Sequence, residues 1–226
     1  MSKLKESSWP EKADFPLAKP GFKYIGVVLA LTALFFVMGW TVMGFLALGP
    51  SLFVCWFFRD PDRVIPQDPH AIISPADGRV VKVAREETNP YWEGPCTKVS
   101  IFMNIFNVHV NRVPMGGVVE KAAYFPGKFI NASLDKASED NERNALVIKT
   151  PAGYSYTVVQ IAGLIARRIV CRVEKGDHLE RGRRYGMICF GSRLDLHLPL
   201  ETEIAVALGD KVKAGSSVIG VMKQGM

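Results

Sequence analysis

NALVIKT (residues 144–150) and YSYTVVQIA (residues 154–162) flank the turn signal Pro151-Ala152-Gly153. Both runs are rich in Val, Ile and Tyr, and both are too short for a globular helix. β-Branched and aromatic residues suit the pleated, half-buried surface of a sheet. Runs of this length between Gly, Pro and Asn/Asp read as strands. The same reading extends outward. GRVVKVA (78–84), TKVSIFM (97–103) and residues 117–125 precede the pair. Residues 167–173, 185–190, 194–198, 202–208 and 217–222 follow it. Helical periodicity is weak throughout this part of the chain. The sequence predicts a mainly β domain of antiparallel, sandwich-like sheets with few helices over residues 59–226. That length buries one proper core. There is no internal repeat and no low-complexity tract.

Residues 24–58 break the pattern. They contain no Asp, Glu, Lys, Arg or His. A spanning helix takes about 20 predominantly apolar residues, and a soluble core helix of this length would show a polar face. A cleaved signal peptide has a shorter apolar region that lies nearer the start of the chain. The run therefore predicts a membrane-embedded segment, either one helix or a hairpin. Gly39, Gly44 and Gly49-Pro50 are its possible breaks. Lys3, Lys5, Lys12, Lys19 and Lys23 precede the run, and Arg59 and Arg63 follow it. Positive flanks on both sides favour a hairpin with both ends in the cytoplasm. The chain thus divides into a basic tail (1–23), a membrane segment (24–58) and a catalytic domain (59–226). Residues 59–70 (RDPDRVIPQDPH) form a rigid, proline-rich linker at the start of that domain.

Composition excludes several classes. The 226 residues carry a net charge of +6, with 48% apolar and 22% charged residues, which is not a disordered composition. Twenty Gly and 14 Pro are too few for a collagen or linker protein. Basic residues are interspersed with acids and form no stripe with stacking aromatics, so no nucleic-acid partner is expected. Beside a membrane segment, the positive bias suits anionic lipid headgroups. Four Cys make no disulfide scaffold and fit a reducing compartment. Cys55, Cys96, Cys171 and Cys189, and His70, His109, His178 and His197, show no zinc-site spacing, so no metal is expected. No GxGxxG, P-loop or HExxH motif is present.

Four local features remain. Asp77 sits in Ser74-Pro75-Ala76-Asp77-Gly78; alone it is a turn residue. His109 lies in FNVHVNR (106–112), where a structural histidine is the plain reading. FPGK (125–128) is a turn, and KAGSS (213–217) is a flexible loop before the final strand. His197 shares one strand face with Asp195, expected to be exposed, and His178 is read as a turn residue. Together, Asp77, His109 and Ser216 supply an orienter, a base and a nucleophile. Gly215 matters because a serine hydroxyl attacks its own preceding carbonyl only in an unusual backbone conformation, which glycine tolerates.

Seven segments in one order carry a resemblance: FRDPDR (58–63), SPADGRVV (74–81), FMNIFNVHVNRVP (102–114), YFPGKFINASLDKASEDNERN (124–144), QIAGLIARRIV (160–170), RYGMICFGSRLDLHLP (184–199) and VKAGSSVIG (212–220). They resemble the short form of the phosphatidylserine decarboxylase family. The resemblance implies a proenzyme that cuts itself between Gly215 and Ser216. The products are a β chain of residues 1–215 and an α chain of residues 216–226. Ser216 becomes a pyruvoyl group, so neither pyridoxal phosphate nor a metal is needed. Its ketone forms a Schiff base with phosphatidylserine and serves as electron sink for loss of CO₂. His109, oriented by Asp77, is the implied base for cutting and the candidate proton donor for decarboxylation.

Longer relatives carry two histidines in the 102–114 motif, and the second is matched here by Arg112. Arg112 is a candidate substrate-binding residue, as are Arg167 and Arg168, for which a surface strand is the plain reading. The implied location is the cytoplasmic face of the cell (inner) membrane, and a homo-oligomer is left open. Two alternatives stand beside this reading. GDKVKAGSSVIGVM (209–222) and SPADGRVVKV (74–83) also resemble hairpins of a lipoyl- or biotinyl-type carrier module, although no lysine-bearing tip is convincing. The same chemistry on another serine phospholipid is equally compatible.

Overall fold

The computed structural model describes residues 16–86, 88–132, 137–164, 168–189 and 191–222. By internal contacts the described residues form two units, one ending at Asp62 and one beginning at Arg63.

In the first unit the apolar run folds as two helices, α1 (Phe22–Val37) and α2 (Thr41–Phe57). They meet at a turn in which Gly39 takes φ +76°, the left-handed region that glycine enters freely. The helices pack closely. A Cβ on Gly44 would stand 2.7 Å from the Phe36 ring. The hydroxyls of Thr32 and Ser51 meet at 2.9 Å, one donating to the other, and each also lies within hydrogen-bond distance of a carbonyl one turn back in its own helix. Polar side chains are thus satisfied inside the pair, while Val27, Leu31, Val37, Val42, Phe45 and Leu52 face outward. With the preceding 3₁₀ turn, Lys19–Val37 is long and apolar enough to cross a membrane; α2 is a shorter apolar helix.

The second unit is mainly β, as the sequence predicts. Its large sheet has the order β13-β2-β3-β11-β7-β6-β5-β9. In chain order these are β2 (Gly78–Glu86), β3 (Cys96–Met103), β5 (Gly117–Phe125), β6 (Arg143–Lys149), β7 (Ser155–Ala162), β9 (His178–Leu179), β11 (Ser192–Leu198) and β13 (Lys211–Val212). Two smaller sheets complete it. One places β14 (Val218–Met222) between β1 (Ala71–Ile73) and β12 (Thr202–Ile204). The other places β10 (Arg184–Cys189) between β4 (Val110–Arg112) and β8 (Arg168–Cys171). Every pairing between these strands is antiparallel.

Strand β11 shows how the core is built. Leu194, Leu196 and Leu198 point into the main core with Ile101, Leu146 and Val158. Arg193, Asp195 and His197 alternate onto the other face. That face is covered too, by the short helix α3 (Ala137–Asp140) and a small apolar cluster that includes Ala145, Val159 and Ile161. His197 is therefore buried, 4% exposed, and not on the solvated face that alternation suggests. Its ring meets Tyr91 edge-on at 5.4 Å. Beside it, Asp195 accepts from Arg193 Nε at 2.6 Å and from Ser138 Oγ at 2.8 Å, with Lys98 Nζ at 3.2 Å. Burial alone would raise the Asp195 pKa; the two cations outweigh it and hold the carboxyl below its ordinary value.

Candidate active site

The turn at residues 213–217 joins β13 to β14, and backbone bonds stitch it to the turn at 74–77. Gly215 N–H donates to Ser74 C=O at 2.8 Å, and Ser74 N–H donates to Ser217 C=O at 2.7 Å. The Ser216 and Ser217 amides both donate to the Lys213 carbonyl, while Lys213 N–H returns a bond to Ser217 Oγ at 2.9 Å. Asp77 completes the junction by accepting from Ala214 N–H at 2.8 Å. Ser74 holds the opposing turn by donating from its hydroxyl to Ala76 C=O. All five amides of the 213–217 turn are thus hydrogen-bonded.

Gly215 has φ +79° and is buried. A Cβ there would lie 2.9 Å from Arg112 Cδ and 3.3 Å from Arg63 Cβ and Ile65 Cδ1. Backbone conformation and surrounding space both require glycine at this position. The residue that follows, Ser216, is half-buried. A glycine carbonyl without a shielding side chain thus precedes a serine hydroxyl.

Two arginines frame this glycine. One terminal nitrogen of Arg63 reaches both Asp77 oxygens, at 3.0 and 2.8 Å, and both side chains are nearly buried. Arg112 is 5% exposed. Its amide donates to Pro75 C=O at 2.9 Å and its guanidinium to Gly182 C=O at 3.0 Å. Arg112 therefore ties β4 to the 74–77 turn while its side chain passes beside Gly215.

His109 immediately precedes β4 and has no exposed surface. Gly191 N–H lies 3.3 Å from its Nε2, and the Asn107 carbonyl 3.0 Å from its Nδ1. An amide only donates and a carbonyl only accepts, so these partners assign the proton to Nδ1 and a lone pair to Nε2. Below it, a chain of buried amides supports the strand: Gln160 donates to Asn111, and Asn144 donates to Gln160.

The structure thus brings Asp77, Arg112, Gly215 and Ser216 together at two facing turns. His109 lies three residues before Arg112, held at Asn107 and Gly191. Arg168 opens β8 and is exposed, and Arg167 lies outside the described residues. Sequence reasoning missed Arg63, whose only signal was its place at the end of FRDPDR. No group of three His, Cys, Asp or Glu side chains suited to a metal occurs among the described residues. Cavities of about 870 and 480 Å³ also exist, and neither is lined by the 213–217 turn.

Comparison with known proteins gives this geometry its class. The family model described as phosphatidylserine decarboxylase matches residues 51–220. A phosphatidylserine decarboxylase proenzyme of Syntrophus aciditrophicus is 50% identical over 212 residues, 92% of this chain and 99% of the relative. The proenzyme of Desulfotalea psychrophila is 45% identical over 205 residues, 91% of this chain and 96% of the relative. That of Burkholderia ambifaria is 47% identical over 212 residues, covering 92% and 97%. The protein is an enzyme of the decarboxylase class. More particularly, the chain belongs to the phosphatidylserine decarboxylase family. This membership displaces the carrier-module alternative.

Proposed function

We propose that this chain converts phosphatidylserine to phosphatidylethanolamine and CO₂ at the membrane, after cutting itself between Gly215 and Ser216. The observation that carries the reading is the glycine of the 213–217 turn, buried at φ +79° before a serine and bound on both sides to the Asp77 turn.

The residues fit a group formed at position 216. Ser216 Oγ attacks the Gly215 carbonyl carbon as its proton passes to a base. The Gly215–Ser216 amide bond breaks, the Gly215–Oγ ester bond forms, and the released amine takes up a proton. Loss of the Ser216 Cα proton then expels the Gly215 carboxylate. Tautomerisation and addition of water release ammonia and leave the pyruvoyl group. Arg112, whose Cδ approaches Gly215, is the cation placed to face charge developing on that carbonyl. Arginine keeps its proton at working pH, so Arg112 is not the base. His109 is proposed for that role, as the reading of the sequence expects, with the Gly191 amide releasing the Nε2 lone pair as it accepts the proton. Asp77 holds the turn through the Ala214 amide, and Arg63 holds Asp77.

A pyruvoyl group at position 216 would supply a carbonyl able to condense with the substrate amine and to take up the electrons left by departing CO₂. The chain's own residues then bind the headgroup, hold the amine near position 216 and return a proton to the α-carbon. His109 is the proposed donor, with Arg112, Arg167 and Arg168 proposed at the phosphate or carboxylate, where a forked cation suits an oxyanion. The apolar helices keep the enzyme at the bilayer that holds both substrate and product, on the proposed cytoplasmic face.

Denaturing mass analysis of the detergent-extracted protein tests the reading. We expect two chains, with the fragment 216–226 blocked by a pyruvoyl group, and CO₂ release from serine phospholipid in micelles. A single uncut chain that releases no CO₂ refutes it.

A further inference from the structure

One edge of the large sheet carries unneutralised charge directly beside the 213–217 turn. Edge strand β13 places Lys211 opposite Arg79 of β2, both exposed. Like charges directly opposite on a sheet are destabilising. Lys213, also exposed, follows the buried Val212 and opens the turn itself. Among the described residues, none of these three cations has an ion pair or side-chain hydrogen bond. The adjacent acid, Asp210, is turned to the Ala207 amide at 2.8 Å.

Leu208 stands at the tip of the preceding turn, residues 207–210, and is 70% exposed. The turn is fixed to β2, because Val80 N–H donates to Asp210 C=O and Gly209 N–H to Val80 C=O, each at 2.8 Å. Lysine on an edge strand ordinarily guards against edge-to-edge pairing. That accounts for Lys211. It does not account for Arg79, which lies on the second strand, or for a large apolar side chain held outward at the tip.

We propose that this edge is a bilayer-docking surface. Leu208 enters the interface while Arg79, Lys211 and Lys213 lie over anionic phospholipid headgroups. The inference rests on the decarboxylase reading and adds to it. The occupant follows from charge: a serine phospholipid carries net negative charge, whereas its ethanolamine product is a zwitterion of net zero. The cationic edge gathers substrate at the turn that holds Ser216 and does not retain product.

The test uses the full chain in vesicles, with Cys55 and Cys171 replaced by Ser. Leu208→Cys carries an environment-sensitive fluorophore, and Lys149→Cys, exposed on β6, is the control. Quenching by spin-labelled lipid is compared in phosphatidylcholine alone and with phosphatidylglycerol added. We expect the label at 208, and not at 149, to be quenched on the anionic vesicles. Quenching should fade as salt shortens the Debye length from about 30 Å at 0.01 M to about 3 Å at 1 M. The double change Arg79→Gln/Lys211→Gln should lower the docked-to-undocked ratio about 30-fold, from the usual contribution of each cation near an anionic surface.

Equal quenching at 208 and 149 overturns the proposal. So does quenching at 208 that is indifferent to lipid charge and to the double change. CO₂ release in detergent micelles separates the two readings. If it persists while quenching fails, only the docking surface falls. If it is absent while quenching holds, the decarboxylase reading falls.

Discussion

Breaking the Arg63–Asp77 pair should loosen the turn that presents Gly215. Their side chains are 13% and 12% exposed, so solvent offers little replacement. Removing one partner of a fully buried pair costs about 3–5 kcal/mol, and the remaining exposure here reduces that to about 2–3 kcal/mol for Arg63→Ala. Asp77→Asn keeps an acceptor for the Ala214 amide but strands the guanidinium, for a loss of about 1–2 kcal/mol. The double variant strands neither charge. It should be less destabilised than the two single losses added, with a coupling of at least about 1 kcal/mol. The assay is guanidinium unfolding in detergent on a Ser216→Ala background, so that chain cutting does not alter the baseline. Single losses that add to within about 0.5 kcal/mol would show that the pair does not act as a unit. The geometric argument for Arg63 would then fail.

Three other outcomes follow. Gly215→Ala forces a Cβ into left-handed backbone, which costs about 1–2 kcal/mol before any clash with Arg112 is counted, and should leave an uncut chain on a denaturing gel. His109→Ala should slow both cutting and CO₂ release by roughly 10²–10⁴-fold, the usual weight of a general acid–base group; normal rates for both would remove His109 from the mechanism. Burial lowers the His197 pKa to about 4, against the opposing pull of Asp195. The unfolded chain therefore binds this proton more tightly, and stability present above pH 6.5 should be lost as pH falls toward 4. The loss is at most about 3 kcal/mol, and unfolding curves of His197→Gln should lack that slope.

Much of this fold was legible along the chain. Strands β6 and β7 are continuous β-branched and aromatic runs, and they appear within a residue of their expected ends. β4 and β13 were not legible, because three- and two-residue strands carry no period, and yet they carry the two sides of the candidate site. β12 stops at Ile204 instead of continuing to 208, where the Asp210 side chain caps a turn in place of a ladder. The face of β11 bearing His197 alternates like an exposed one; its cover comes from α3 and Tyr91, distant in sequence. Gly215-Ser216 and Asp77 were readable as motifs. Arg63 was not, because its meaning lies in a side chain 14 residues away that only the folded chain brings to it.

The place of β14 bears on what cutting would leave behind. This strand is the middle member of its sheet, paired with β1 on one side and β12 on the other. A break before Ser216 would turn it into a separate peptide of residues 216–226 that no covalent bond retains. It would nevertheless stay seated, because leaving requires both ladders to open and Ile219 to abandon the core. Only Ser217 separates residue 216 from the first residue of that strand. The new chain end would hang on a tether of about 7 Å, the reach of two extended residues. Cutting would then free a reactive terminus and, in the same step, confine it to a volume scarcely larger than the group itself.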